Sequence, residues 1–400
     1  MNGVERIEGT VTTPKGFLAA GVNCGIKRGS LDLALVYSTT LAAAAGVFTR
    51  NQVKAAPVLL SRQRVPGHAQ AIVINSGNAN ACTGLQGLAD AEEMARLVAE
   101  SLGIPPQHVL VASTGVIGVP LPMEAVRRGI ALITRVLGPR GEEAARAIMT
   151  TDSFPKMAAA RVEIDGKVVT VGGMAKGAGM IHPSMATTLC VMTTDAAIEP
   201  HVLQSCLRRA IDRTFNAITV DGDTSTNDSA FLLANGLAGN SPIREEGEEL
   251  RRLQAAVDAV AGELSKLVVR DGEGATKLVE VQVKGAVDDA DARKVAEAIA
   301  TSLLVKTAIY GGEPNWGRII AAIGRSGARV QEDRISISFG GEAVVVGGLG
   351  VPGAFEAAGS ALKGKEVVIT VDLGLGEGEA TMWTCDLTEE YVRINSGYMT

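Results

Sequence analysis

Several chemistries are poorly supplied in this chain, and each shortage removes a class of function. Its four histidines, His68, His108, His182 and His201, share no ligand spacing, so no metal site is expected. The five cysteines, Cys24, Cys82, Cys190, Cys206 and Cys385, are odd in number, widely spread and never in a CxxC pair. That pattern suits reduced thiols and a cytoplasmic location. Basic residues do not outnumber acidic ones: 38 Lys and Arg stand against 44 Asp and Glu, for a formal charge of −6. A nucleic-acid binder needs a basic footprint, so none is expected. Apolar runs stay well short of the ~20 residues that span a bilayer. The N-terminal MNGVERIEGT has no signal-peptide core, so no membrane partner is expected either.

Three motif-like stretches also fail on inspection. Arg270 to Lys277 does not satisfy the phosphate-loop pattern, and Asp221 to Asp228 lacks the glycine and final glutamate of an EF-hand loop. Gly374 to Gly378 lacks the last glycine of a dinucleotide fingerprint.

Glycine, in contrast, is abundant: 47 of 400 residues, while aromatics make up only 3%. Packing must therefore rely on Ala, Val, Leu and Ile, with backbones brought close through small residues. A chain of this length buries a substantial core, as two domains or one large one. Strand-like and helix-like patterns alternate along it, which indicates an α/β (α+β) fold.

The stretch of greatest chemical interest is Lys176 to Ala197, KGAGMIHPSMATTLCVMTTDAA. A glycine-rich run leads into Thr187-Thr188-Leu189-Cys190-Val191-Met192, which reads as a buried strand. A Thr hydroxyl is a poor nucleophile until a base takes its proton. If the backbone breaks between Ala186 and Thr187, the freed α-amine, with a pKa of about 7.7–8.0, sits beside that hydroxyl and can serve as the base. Read without that break, the stretch is a glycine loop entering a core strand. His182 is a weaker base candidate, because the amine makes it unnecessary.

Other candidates flank this one. Val109 to Ala112 reads as a strand followed by Ser113-Thr114-Gly115-Val116-Ile117-Gly118, where a hydroxyl and a backbone N–H can converge as an oxyanion hole. Ala71 to Ile74 reads as a strand leading to the loop Asn75 to Gly84, and a helix is expected near 89–102. Lys176 precedes Gly177, where a cation suits a substrate carboxylate. Glu273 stands between Gly272 and Gly274 and could meet a substrate ammonium. The tail, YVRINSGYMT, carries few charges; ends are usually polar and frayed, so docking is expected, with Ile394 buried.

These segments resemble the ornithine acetyltransferase (glutamate N-acetyltransferase) family of arginine biosynthesis. The resemblance rests on KGAGMIHPSMATTL, STGVIG, GVNCGIK with AAAAGVFTRNQVKAAPV, YGGEPNWGR and the tail, and so runs from near the N-terminus to the last residue. One position departs: Ser184 stands where Asn is more usual. The resemblance implies a layered α-β-β-α sandwich of N-terminal-nucleophile type with a smaller α/β part near 280–390. It implies self-cleavage between Ala186 and Thr187, giving segments 1–186 and 187–400 that form the site together, with two copies of each in a heterotetramer. Thr187 would carry the acetyl group from N2-acetylornithine to glutamate, with Thr114 and Gly115 as the oxyanion hole. Substrate would be held by Thr151 or Thr150, Lys176, Thr187, Glu273, Asn395 and Thr400. No cofactor is implied; acetyl-CoA is an additional donor in some members. The rival readings are a self-cleaving aminopeptidase or amidohydrolase, in which water takes the acyl group, and a non-catalytic glycine-rich scaffold.

Overall fold

The computed structural model describes residues 3–182 and 188–397. Ala186, Thr187 and Thr400 of the expected site lie outside these residues. The described chain divides into two compact units, one of 3–216 with 223–268 and the other of 217–222 with 269–397.

The first unit contains, in order, β1 (Glu5–Ile7), β2 (Phe17–Val22), β3 (Leu33–Phe48), α1 (Ala56–Arg62), β4 (Gly67–Asn78), α2 (Gly84–Leu102) and β5 (Val109–Val116). There follow α3 (Met123–Ile133), α4 (Gly141–Ala147), β6 (Lys156–Ile164), β7 (Lys167–Lys176), β8 (Leu189–Thr194), α5 (Pro200–Arg213), β9 (Ser229–Ala234) and the long α6 (Glu248–Arg270). Among the described residues nine strands form one sheet, in the order β1-β6-β7-β8-β9-β3-β4-β5 with β2 also on β3. Only β4–β5 and β8–β9 are parallel.

This sheet folds over on itself because β3 is shared. Its residues 33–37 and 42–44 pair with β4 along one edge, while on the other edge 33–38 pair with β2 and 43–48 with β9. Side chains alternate across each strand, so each half has an inner and an outer face. Ala34, Val36, Ile72, Ile74, Leu110 and Ala112 from one half pack in one cluster with Met174, Leu189, Val191, Phe231 and Leu233 from the other. The outer face of the first half, with Leu33, Leu35, Val73 and Val111, packs under Met94 and Val98 of α2 and Ile130 of α3. On the second half, α6 covers β7: a Cβ added at Gly173 would come within 3.0 Å of Leu264 and Val260. The result is helix, sheet, sheet, helix, as expected.

In the second unit, β10 (Leu278–Ala286), α7 (Asp289–Ala300), α8 (Leu303–Tyr310), α9 (Trp316–Gly324), β11 (Ser336–Phe339) and β12 (Glu342–Val346) come first. After them come β13 (Leu349–Gly350), α10 (Ala354–Ala361), β14 (Glu366–Asp372), β15 (Gly378–Cys385) and α11 (Glu389–Gly397). Six strands, in the order β13-β12-β11-β14-β10-β15, form a sheet with its own core. Val279, Val281, Ile337, Ile369 and Val371 pack there against Val295, Ile299, Ile319 and Ile323 of the helices.

The sequence pattern predicts one helix over 291–304, but two are present. Ser302 interrupts the run: its side chain accepts a hydrogen bond from Val305 N–H and caps α8. The Asn-rich run does not begin as a loop either, since β4 continues through Asn78 with Asn75 and Ser76 fully enclosed. The tail differs as well. Residues 389–397 form a helix with no buried side chain, Val392 is 64% exposed, and Ile394 is only half-buried. Among the described residues, no helix is long and apolar enough to cross a membrane.

Candidate active site

The paired ends of several strands gather the candidates in the first unit. Lys176 lies opposite Leu189, Leu189 opposite Ser229, and Ser229 opposite Phe48, in one row across the second half of the sheet. Thr114 lies opposite Ser76 near the end of β5 in the first half. The Lys176 ammonium bridges the two rows by donating to Thr114 Oγ1 at 3.3 Å, and both side chains are buried. Because the lysine donates, the Thr114 hydroxyl proton is directed elsewhere, as an oxyanion donor requires.

Gly115 is not replaceable here. It has φ +131°, and an added Cβ would fall 2.3 Å from the Gly77 carbonyl carbon. The register between β4 and β5 shifts at Gly77 and Asn78, so two backbones touch at this point. Thr114 and Gly115 therefore belong to the strand itself, where the sequence predicted a loop after it.

Asp152 organises the neighbouring segment. Its Oδ1 accepts from Lys156 Nζ at 2.6 Å and from Gly177 N–H at 2.7 Å, and its Oδ2 accepts from Thr150 N–H at 2.9 Å. Both charged side chains are fully enclosed. Burial by itself would raise the Asp152 carboxyl, but Lys156 and Lys176, with the hydrogen bonds, bring it down to about 2. Lys27 joins from the other side, donating to the Met149 carbonyl at 2.9 Å. Its pKa is lowered by burial, with the charges of Asp32 and Asp152 opposing. Three ammonium groups thus stand against two carboxylates, Asp152 and, beside Lys27, Asp32, which leaves positive charge in slight excess. Such a site suits an anionic substrate and a developing oxyanion.

Thr150 is held by Asp152 through its own N–H, whereas no hydrogen bond to the Thr151 hydroxyl occurs among the described residues. Thr187 lies outside those residues, but its successor is well defined. Thr188 N–H donates to Asp228 Oδ1 at 3.0 Å, and Ser229 N–H donates to the Thr188 carbonyl at 3.1 Å. Asp228 Oδ2 and Thr188 Oγ1 are buried, and neither has a hydrogen-bond partner among the described residues. Burial pushes the Asp228 carboxyl well above the ordinary range, against the Thr188 hydrogen bond and the Lys176 charge. A buried carboxyl that holds its proton more tightly than usual therefore stands beside the start of β8.

In the second unit, Asn395 Nδ2 donates to Glu273 Oε2 at 2.7 Å. Two candidates more than a hundred residues apart in sequence are thereby joined. No group of three potential ligands able to hold a metal occurs among the described residues. Four of the five thiols are also disfavoured as nucleophiles: burial pushes Cys24 and Cys206 up to about 12 and raises Cys190 and Cys385.

Asp152, Lys156, Lys27 and Asp228 were not singled out from sequence. Asp152 and Lys156 are four apart, but in an irregular segment where that spacing carries no signal. Asp228 ends an acidic stretch that reads as a hydrogen-bonded turn beside the site, with nothing to mark this residue within it.

The ArgJ family model matches residues 18–400. The chain is 55% identical to the arginine biosynthesis bifunctional protein ArgJ of Symbiobacterium thermophilum, covering 99% of this chain and 100% of that protein. It is 51% identical to the protein of the same name from Synechocystis, with 98% of each covered. Among solved structures, an ornithine acetyltransferase complexed with ornithine from Mycobacterium tuberculosis is 46% identical, with 45% of this chain and 98% of that one covered and a TM-score of 0.42. With relatives matched over nearly its whole length and a family model spanning almost all of it, the chain belongs to the ArgJ family.

Proposed function

We infer that this enzyme is an acetyltransferase of arginine biosynthesis that moves the acetyl group of N2-acetylornithine to glutamate through an acetyl-threonine intermediate. The observation that carries the reading is the 55% identity to an arginine biosynthesis bifunctional protein over essentially both full lengths. The site supports it with a buried hydroxyl and ammonium, Thr114 and Lys176, where an oxyanion and a carboxylate need partners.

In the proposed cycle Thr187 Oγ attacks the acetamide carbonyl while its own α-amine takes the hydroxyl proton. Thr114 and Gly115 donate to the oxyanion. The C–N bond breaks, ornithine leaves with that proton on its α-nitrogen, and an acetyl ester remains on Thr187. Glutamate's α-amine then attacks the ester, and the proton returns to the threonine oxygen. Lys176 and Glu273 recognise the carboxylate and the ammonium of the amino acid, with Thr151 or Thr150, Asn395 and Thr400 helping. The acyl carrier is a residue of the chain, so the cycle needs neither metal nor bound cofactor. Acetyl-CoA is assigned as a second donor.

The same hydroxyl releases itself. An N→O acyl shift at Ala186–Thr187, followed by hydrolysis, gives segments 1–186 and 187–400, which we assign to a cytoplasmic assembly of two copies of each. Feeding N-acetylornithine with and without glutamate tests the reaction. Ornithine release that depends on glutamate is expected; acetate release at the same rate without glutamate would favour a hydrolase.

A further inference from the structure

The segment Gly21 to Lys27, GVNCGIK, carries part of the family resemblance, yet no step of the cycle uses it. It leaves β2 and turns back toward β3 around one carboxylate. Asp32 is fully enclosed. Its oxygens accept four successive backbone N–H bonds, from Cys24 at 2.6 Å, Gly25 at 3.1 Å, Ile26 at 2.7 Å and Lys27 at 2.8 Å. Successive N–H groups turned inward form a concavity for an anion, and here the chain's own aspartate fills it. The loop is thereby fixed, and with it the point from which the Lys27 side chain departs.

That side chain crosses the strands of the oxyanion hole. A Cβ added at Gly77 would fall 2.8 Å from Lys27 Cγ, and one added at Gly115 would fall 2.3 Å from the Gly77 carbonyl carbon. The lysine stem therefore lies on Gly77, and Gly77 lies on Gly115. Its ammonium donates to the Met149 carbonyl at 2.9 Å, one residue before Thr150. The charges of Asp32, Asp152 and Lys176 all act on it. Lys27 is only half-buried, and this is its one side-chain hydrogen bond among the described residues. An ammonium has three donors, so its capacity is not exhausted.

The acceptor's chemistry calls for such a group. An acidic amino acid brings two carboxylates, one beside its nitrogen and one on its side chain, and Lys176 is assigned to one carboxylate only. Lys156 is not available for the other, since it is fully enclosed and held by Asp152 at 2.6 Å. Glu273, which suits an ammonium, repels it. Lys27 offers a charge, spare N–H donors and partial exposure, which together make a strong carboxylate contact. We propose that Lys27 binds the side-chain carboxylate of the acceptor and so selects an acidic amino acid for the second half of the cycle. The proposal rests on the transfer reading for the identity of that acceptor, glutamate.

Acceptor selectivity tests it. Initial rates of transfer from N-acetylornithine to glutamate, and to its uncharged isostere glutamine, are measured for the parent, Lys27→Met and Lys27→Arg, each expressed as the whole chain. The parent should prefer glutamate by roughly tenfold or more in kcat/KM. Lys27→Met should lose most of that preference through a raised KM for glutamate, and Lys27→Arg should keep it. A residue that merely anchors the Met149 carbonyl would, when replaced, lower transfer to both acceptors alike; that result overturns the proposal. So does a parent that takes glutamine as readily as glutamate, a measurement that needs no variant to fold. A parent that consumes N-acetylornithine equally fast with no acceptor present sinks the transfer reading itself, and the proposal with it.

Discussion

Removing one partner of the enclosed pair Asp152–Lys156 exposes what this site costs the fold. The two side chains meet at 2.6 Å with no solvent exposure. The fall of the Asp152 carboxyl from 3.8 to about 2 corresponds to ~2 kcal/mol, at about 1.36 kcal/mol per pKa unit. Because the folded-state pKa is depressed, that contribution is complete above about pH 4 and is lost as pH falls through about 2. Asp152→Asn leaves the Lys156 charge buried and uncompensated, which costs roughly 3–5 kcal/mol. Lys156→Met should cost a similar amount. The double variant should recover much of the loss, with a coupling of ~2 kcal/mol or more. Urea unfolding followed by circular dichroism at pH 7 and pH 3 measures all four states. Asp152 also holds Gly177 N–H, next to Lys176, so Asp152→Asn should slow self-cleavage, visible as persisting full-length chain on a gel. Single losses below about 1 kcal/mol that simply add, with cleavage at the parent rate, would refute the reasoning.

Two further changes probe the reaction centre. Thr114→Val removes the oxyanion hydroxyl but keeps its shape, and should lower kcat by about 10²–10³-fold with little change in KM; steady-state kinetics with N-acetylornithine decide it. Asp228→Asn addresses the buried carboxyl beside Thr188. Because burial raises the folded-state pKa of Asp228, parent stability should decline as pH rises above about 4 toward that raised value. The variant should lose this decline, so its stability relative to the parent increases from pH 4 to pH 8 in urea titrations; a parallel pair of profiles would contradict the assignment.

How much of this was legible in the chain differs from element to element. Val109 to Ala112 and Ala71 to Ile74 were readable as strands from their unbroken apolar runs. Their continuation through Thr114 and Asn78 was not, because Ser, Thr and Asn read as turn residues. Here they remain in strands because their polar groups find buried partners, such as Ser76 Oγ with the Ala147 carbonyl at 2.6 Å. Thr114, Lys176, Glu273 and Asn395 were found through their motifs, and the structure pairs the first two and the last two. Asp152 and Asp228 were missed because a carboxylate's burial depends on strands distant in sequence. The sandwich was implied by resemblance alone, since nothing local reveals that β3 serves both halves of the sheet. The tail's low charge suggested a buried Ile394, but over 389–397 the chain forms a helix with no buried side chain, joined to Glu273 through Asn395.

The account turns on a reactive threonine created by a broken backbone. Mass spectrometry of the purified protein, before and after incubation with N-acetylornithine alone, tests this most directly. The prediction is two polypeptides that meet between Ala186 and Thr187, with one acetyl group gained on the N-terminal peptide of the second, and neither change in Thr187→Ala. A fully active enzyme recovered as one unbroken chain of 400 residues, with no acetyl group on Thr187, would contradict it.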